Sequence, residues 1–425
     1  MSLRRARRRR RQIEESRSLL IRVLQFVTSW EGILSFGVFI VAAVLLQGIL
    51  RLPMPFDWGK PPPIPDTWGY INVPRGQPLK LAYIGDVSGG ASLDAPGAKQ
   101  AVEMALAESG VVKNTKVELS TIEDSCDPQK ATEKAQELVS DLQVVGVISQ
   151  ACTASTLAMK SVLEEARLPL MSLSTHLPAL TRSGTLVTFN MAGNVKSQGN
   201  KAALYARQDL QVSRALLLQD GSPGAEETLN EFRSQFRPQG GQIVDSLVLN
   251  SHPAEWGVVL KEIISLEADF VYVVGKGSVV QGILSFLRQG GYTGNFMVAD
   301  DAYSDPAYQQ AGAILEQTYA TTFQVPRAAR YAFWKDGYEK DYGVVGPLSP
   351  EAYDAATLLL NALNVAAKSK GDGTVEVGRG LLVGLIRSLP YDGLTGPPSF
   401  DSNGDRANIL VQVMKVEDGQ FKQVK

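Results

Sequence analysis

The sequence predicts an α/β protein with two doubly wound lobes, preceded by one transmembrane helix. Short apolar runs alternate with helical patterns from residue 79 onward, which is typical of βαβ units and a parallel sheet. At 425 residues the chain exceeds what one hydrophobic core usually supports, so we expect two lobes. An apolar stretch without charges near the N-terminus predicts the transmembrane helix.

The alternation of strands and helices is clearest between residues 79 and 289. The runs expected to be strands cover 79–85, 116–121, 144–149, 169–172, 215–219, 242–248 and 270–274. The helical patterns cover 97–109, 129–141, 155–166, 225–236, 256–266 and 278–289. Ligands of doubly wound sheets bind at the carboxyl ends of strands. The predicted site therefore consists of the loops 85–94, 152–156, 173–178, 220–225, 275–278 and 300–305.

Residues 32–50 carry no formal charge and are long enough to cross a bilayer as a helix. Seven arginines lie between positions 4 and 11, and the positive-inside rule places them in the cytoplasm. A cleaved signal peptide is the alternative, but residues 47–53 offer no Ala-x-Ala cleavage site. The apolar band 19–27 is either a helix on the inner leaflet or the start of one long tilted helix.

Charge and proline content divide the N-terminal part of the chain. Residues 1–51 carry ten Arg and three Glu, a net charge of +7, whereas the whole chain has −2. The rest is therefore acidic and has no basic face for phosphates, so nucleic acid is not an expected partner. We expect a basic cytoplasmic or interfacial tail over 1–31, the transmembrane helix over 32–50 and a Pro-rich stalk over 51–78.

Sequence motifs typical of enzymes, cofactor sites and metal sites are absent. The sequence contains neither a Gly-x-Ser-x-Gly motif nor a P-loop, so we expect no enzyme and no cofactor. The two histidines are isolated, which argues against a metal site. Cys126 and Cys152 both follow the predicted span on its outer side, where they form either a disulfide or two buried thiols.

Several segments resemble periplasmic branched-chain amino acid binding proteins, the type I solute-binding proteins of ABC importers. The segments are EDSCDPQKATEKAQELV, VISQACTASTLAMKSVLEEARLPLMSLSTHLPALT, LAYIGDVSGGASLDAPGAKQAVEMAL, ADFVYVVG, TGNFMVADDAYSDP and YDGLTGPPSFDSNGD. The resemblance covers residues 79–425. It implies two Rossmann-like lobes joined by a hinge of three crossovers, closure around a small ligand, and a Cys126–Cys152 disulfide. The lobes are expected at 79–196 with 325–392, and at 197–324 with 393–425.

The resemblance also implies which residues bind the ligand. The ligand carboxylate is expected at two loops, and the residues concerned are Thr153, Ser155 and Thr156, then Ser174, Thr175 and His176. Ser155 and Thr156 are also plausible N-caps, which would favour an anion at the helix start or would simply cap the helix. The amino group is expected at Asp300, with Asp301 beside it, unless the two form a solvated loop pair.

Two positions depart from the pattern of this family. Tyrosines of the second lobe wall the family's pocket, but here those positions fall on Gly224 and on Lys276 or Gly277. The loop 89–95 is also a few residues shorter than the corresponding loop of the family. Lys276 therefore indicates a more negatively charged ligand or a pocket that no longer binds amino acids, unless its side chain points to solvent.

These expectations lead to one function and two alternatives. The protein is expected to be a membrane-tethered, extracytoplasmic binding protein that captures a small polar, amino-acid-like solute for an ABC permease. The alternatives are a sensor ectodomain, or an accessory or structural subunit of an integral membrane complex that keeps the fold and has altered or lost its ligand. In each case residues 32–50 are the membrane contact.

Overall fold

The computed structural model describes residues 65–85, 95–123, 126–150, 152–182, 187–249, 256, 265–305, 308 and 312–424. Residues 66–425 group as one compact unit. The predicted tail, the transmembrane helix, most of the stalk and most of the helix 256–266 lie outside the described residues. Within the described ranges, no helix is long and apolar enough to span a bilayer.

Sixteen strands are formed by the described residues. They are β1 Tyr70–Val73, β2 Leu79–Gly85, β3 Val111–Val112, β4 Thr115–Glu123, β5 Val144–Ser149, β6 Leu170–Ser172, β7 Thr188–Asn190, β8 Arg214–Gln219, β9 Gln242–Val248, β10 Phe270–Val274, β11 Asn295–Val298, β12 Thr318–Gln324, β13 Ala367–Ser369, β14 Val375–Gly378, β15 Leu410–Glu417 and β16 Gln420–Gln423.

Ten α-helices with described bounds accompany these strands. They are α1 Ala95–Ser109, α2 Pro128–Ser140, α3 Thr153–Glu165, α4 Val195–Gln208, α5 Ala225–Phe236, α6 Gly277–Gln289, α7 Asp300–Tyr303, α8 Tyr331–Tyr342, α9 Ser349–Ala366 and α10 Arg379–Ser388. Short 3₁₀ turns occupy Pro178–Leu180, Arg237–Gln239 and Gly312–Leu315.

The first sheet has the strand order β3-β4-β2-β5-β6-β7. β3 pairs antiparallel with β4, and the other four pairings are parallel. The apolar runs of β2 and β5 are buried almost throughout, because a parallel sheet is covered by helices on both faces. One core joins this sheet to side chains of α1, α8, α9 and α10.

The second sheet has the strand order β16-β15-β12-β11-β10-β8-β9. Its five strands from β12 to β9 are parallel, whereas β15 and β16 are antiparallel. Side chains of β10 alternate between two cores: Val271 and Val273 lie in one, and Phe270 and Tyr272 lie in the other. The sheet is mixed rather than purely parallel because the C-terminal segment returns as a hairpin.

A third, small sheet has the order β1-β14-β13 and corrects part of the stalk prediction. The range 51–78 was expected to contain no central strand, and Tyr70–Val73 indeed forms an edge strand against β14. Prolines 74 and 78 follow it, which an edge position tolerates. Residues from Asp66 onward belong to the compact unit, so they do not form a free stalk.

The chain passes between the two large sheets three times, as the resemblance implies. It crosses after β7, after β12 and again before β15. Asp405 of the third crossing accepts hydrogen bonds from Asn190 (3.1 Å) and Asn194 (2.9 Å) of the first crossing, and from Thr181 (2.9 Å). These bonds hold the crossings side by side. The exact lobe boundaries stay a prediction.

Candidate functional site

The carboxyl ends of β5 and β6 bring two of the predicted loops together. The strands are parallel neighbours, with Ser149 opposite Ser172, and the N–H of Leu173 donates to the carbonyl of Ser149 at 2.8 Å. The segments that follow Ser149 and Ser172 therefore leave the same edge of the first sheet side by side. This is the edge where doubly wound sheets bind ligands.

Helix α3 begins earlier than the sequence predicts, so the N-cap assignment of Ser155 and Thr156 is wrong. Cys152 is the N-cap, its side chain makes no capping bond, and Thr153 is the first helical residue. The first N–H groups of the helix thus make no intrahelical bond and can bind an anion. Ser155 and Thr156 lie in the first turn of α3 and are buried. Thr156 Oγ1 lies 3.2 Å from Ser149 Oγ.

The predicted disulfide is confirmed, and it fixes the start of this helix. Cys126 and Cys152 are bonded, with their Cα atoms 5.2 Å apart and 26 residues apart in the chain. Cys126 lies just before α2, and Cys152 caps α3. The bond therefore holds the loop in front of Thr153 to the neighbouring helix.

The loop 174–176 presents both hydroxyl and imidazole groups. Thr175 is fully buried and its Oγ1 has no hydrogen-bond partner, which makes it available to a ligand atom or a bound water. His176 Nδ1 lies 2.7 Å from the carbonyl oxygen of Gly193. Because a carbonyl only accepts, Nδ1 carries the hydrogen and Nε2 is left to face other groups. The ring also stacks on Phe323, with centroids 4.8 Å apart.

The second sheet contributes acidic groups from the ends of β8 and β11, the two strands that flank β10 in that sheet. Asp220 accepts hydrogen bonds from the backbone N–H groups of Lys276 (2.8 Å) and Ser222 (2.9 Å). It thereby ties the loop after β10 to the loop after β8. The side chain of Lys276 is exposed, as the solvent-facing alternative expects. A ligand contact by Lys276 stays a prediction.

Asp300 and Asp301 begin α7 at the end of β11. Asp300 Oδ1 accepts a hydrogen bond from the buried Thr322 hydroxyl at 2.5 Å. Asp301 is exposed, but neighbouring protein atoms partly desolvate its carboxyl group, and this raises its pKa. Nearby His176 lowers the pKa of Asp301, while the charge of Asp300 raises it. His176 of the first sheet's edge therefore lies close to the acidic pair of the second.

Burial raises the pKa of Tyr272, whose side chain is fully enclosed in β10. The charges of Asp301 and Asp300 raise it further, so this phenol stays neutral near the acidic pair.

Gly224 brings the two edges into contact. It is the N-cap of α5 with φ +88°, and a Cβ built there would lie 2.5 Å from Leu177 Cδ2. Leu177 follows His176 in the loop after β6 and is almost fully buried. Leu177 of the first lobe therefore packs next to Gly224, the position at which the resemblance implies a tyrosine.

The loops after β5 and β6 therefore place donors on one side of a cleft, and the ends of β8 and β11 place carboxylates on the other. Ser155 and Thr156 are buried within α3 and Lys276 is exposed, so ligand contacts by these three residues stay predictions. The sequence did not predict four further residues that make contacts at this cleft, namely Leu177, Asp220, Thr322 and Phe323. Asp220 and Leu177 lie in loops that the pattern identified, whereas nothing marked β12 as a contributor. Among the described residues, no group of three His, Cys, Asp or Glu side chains could hold a metal ion.

Comparison with known proteins relates this chain to one family. The sequence model of a family described as "Periplasmic binding protein" matches residues 78–420. The Leu/Ile/Val-binding protein of Escherichia coli is 23% identical over 344 residues, which are 79% of this chain and 90% of that protein. An amino acid binding protein of Pseudomonas aeruginosa is 23% identical over 317 residues, 73% of this chain and 81% of its own length.

Solved structures show the same fold. A leucine binding protein from Thermotoga maritima superposes with a TM-score of 0.66 at 23% identity, covering 82% of this chain and 98% of that one. A substrate-binding protein from Desulfitobacterium hafniense in complex with Leu gives a TM-score of 0.66 at 20% identity, with coverage of 82% and 100%. At such identities the likeness establishes the fold alone.

Proposed function

Because the chain belongs to the periplasmic binding protein family, and is thus a solute-binding protein rather than an enzyme, we propose that it captures an amino-acid-like solute in the cleft between its two large sheets. The solute is then delivered to an ABC permease. Relatives named for binding leucine, isoleucine and valine support the ligand class. No catalytic group is needed for this role.

The observation that carries the proposal is the distribution of charge across the cleft. The start of α3 and the loop 174–176 supply N–H and hydroxyl donors, which suit a carboxylate. Asp300 and Asp301 on the opposite edge supply negative charge, which suits an ammonium group. An α-amino acid carries both groups on one carbon and can bridge the two edges, which gives a physical reason for closure around it.

Ligand binding is tested by thermal unfolding of the purified full-length protein in detergent, with amino acids, amides, urea and dicarboxylates as additives. We expect at least one amino acid to raise the midpoint of unfolding, because a ligand at 100 times its Kd adds about 2.7 kcal/mol of stability. Amides and urea, which lack the paired charges, should leave the midpoint unchanged. Stabilisation by none of the amino acids would contradict the proposal and favour an accessory subunit without ligand.

The second part of the proposal is the membrane tether formed by residues 32–50, with the binding unit outside the cytoplasm. Its apolar length and the preceding arginines support this topology. We expect the protein to stay in the membrane fraction after high-salt and carbonate washes, and a variant without residues 1–50 to be released. Mass spectrometry of the wild-type N-terminus should detect the arginine run. A soluble mature form that begins near Leu52 would show a cleaved signal instead.

An accessory or structural subunit remains the second candidate, and two observations favour it. Gly224, packed next to Leu177, replaces one tyrosine that the resemblance implies, and the exposed Lys276 or its neighbour Gly277 replaces the other. Both changes would reduce contact with a bulky amino acid. The thermal-unfolding panel separates this candidate from a retuned binding protein.

A further inference from the structure

Two of the three hinge crossings leave the second sheet at one place. β12 and β15 pair antiparallel, and Gln324, the last residue of β12, lies opposite Leu410, the first residue of β15. Arg327 follows the end of β12 in the second crossing, and Arg406 precedes the start of β15 in the third. Both arginines are therefore attached, through short segments, to the same end of the second sheet.

A buried carboxylate of α9, which packs on the first sheet, lies near both arginines. Glu351 is in the first turn of α9, and only 3% of it is exposed. Arg327 Nη1 donates a hydrogen bond to Glu351 Oε1 at 3.0 Å. Arg406, which is 5% exposed, donates through Nε to Asn408 at 2.7 Å and through Nη2 to the carbonyl of Thr395. Its third nitrogen, Nη1, is left for a further acceptor.

One atom of Glu351 and one atom of Arg406 are unused. Glu351 Oε2 and Arg406 Nη1 are buried, and neither has a hydrogen-bond partner within the part of the chain that the structure describes. The two side chains are nevertheless close enough to affect each other. Desolvation raises the pKa of Glu351 and lowers that of Arg406, and the charge of each opposes the shift of the other. Since an unpartnered buried charged atom costs free energy, this acceptor and this donor are complementary to each other.

We propose that Glu351 and Arg406 form a hinge latch, in which Glu351 Oε2 accepts a hydrogen bond from Arg406 Nη1 in a second position of the lobes. A rotation of the second sheet moves the joined ends of β12 and β15, and so carries both arginines relative to α9. The hinge then has two positions, which differ in whether Glu351 bonds to Arg406. Apparent ligand affinity scales with the population of the binding-competent position, so the latch regulates affinity whichever ligand the cleft takes.

The distance between the lobes of the ligand-free protein tests the latch. Leu142→Cys, just before β5, and Val248→Cys, at the end of β9, place one exposed spin label beside each large sheet. The two native cysteines are bonded to each other and take no label. Electron paramagnetic resonance of the full-length protein in detergent should show two distances between the labels, one of them that of the present structure. Glu351→Gln should reduce the population of the second distance about tenfold, because a hydrogen bond between charged groups is that strong.

Two further variants separate a latch from a charge cluster that only stabilises the fold. Arg406→Lys replaces the forked guanidinium by one ammonium, which cannot hold Asn408, Thr395 and Glu351 together, so it should also lose the second distance. It decides the matter if Glu351→Gln does not fold. Glu118→Gln changes an exposed carboxylate of β4 and should leave both distances unchanged. A single distance before Glu351 is changed, or a second population that survives the change, would overturn the latch. Because no ligand is added, that result would leave the proposed function standing.

Discussion

Replacement of Asp300 by alanine is expected to weaken amino-acid binding by about 2–5 kcal/mol, because the ammonium group would be left in the closed cleft without its partner. Asp300 is held in place by the Thr322 hydroxyl at 2.5 Å, so its carboxylate is oriented before the ligand arrives. Calorimetry of the wild type and of Asp300→Ala with the best ligand of the panel measures the difference.

Two further variants sharpen this measurement. Asp300→Asn keeps the size and the contact with Thr322 but removes the charge, so it should lose most of the same affinity. Asp418→Ala removes an exposed carboxylate at the turn between β15 and β16, at the opposite end of the second sheet from the cleft. It should bind as the wild type does. If Asp300→Ala also binds as tightly as the wild type, the ammonium partner has been assigned wrongly, and Asp301 is the next candidate.

Replacement of Asp354 by alanine is expected to destabilise the fold by about 3–5 kcal/mol, the usual cost of breaking a buried charge network. Asp354 lies in α9, is fully buried and accepts four hydrogen bonds from the third crossing. The donors are the Tyr391 hydroxyl (2.8 Å), the N–H groups of Leu394 (2.7 Å) and Thr395 (2.8 Å), and the Thr395 hydroxyl (2.5 Å). Without the carboxylate these buried donors lose their acceptor.

Urea unfolding followed by circular dichroism measures the effect of this substitution. Asp354→Asn should also be strongly destabilising, because its amide N–H group would face donors. Tyr391→Phe removes two hydrogen bonds, the one donated to Asp354 and the one accepted from Arg330 (3.0 Å), and should cost about 1–3 kcal/mol. The control Asp336→Asn changes an exposed aspartate of α8 and should leave the midpoint nearly unchanged. A midpoint for Asp354→Ala within error of the wild type would show that the third crossing is held by other contacts.

The sequence by itself determined the elements whose pattern is local. The bounds predicted for β2, β5, β9, β10 and α5 are those observed, because each is an apolar run or helical face bounded by turn residues. Family membership could also be recognised from the sequence, because the motifs around the two cysteines are stretches of consecutive residues. The Cys126–Cys152 bond followed from that resemblance and is present.

The local sequence pattern was a weaker guide to where helices begin beside the candidate site. Helix α3 starts at Thr153, two residues before the predicted start, because Cys152 takes the N-cap position without a side-chain capping bond. The sequence favours Ser or Thr at that position, so propensity pointed to the wrong residue. The disulfide of Cys152 instead constrains where the helix begins. A tertiary constraint outweighed a local preference that is worth about 1 kcal/mol.

Only the tertiary structure decided which side chains meet across the cleft. His176 stacks on Phe323, and Leu177 fits against Gly224, although each pair is far apart in the chain. Such contacts depend on how the three crossings set one sheet against the other, and no periodicity in the sequence reports that placement. The residue types at 177 and 224 are unremarkable when each is considered alone. Their mutual fit exists only after two separate sheets have folded and met, which is why the shape of the cleft had to come from the structure.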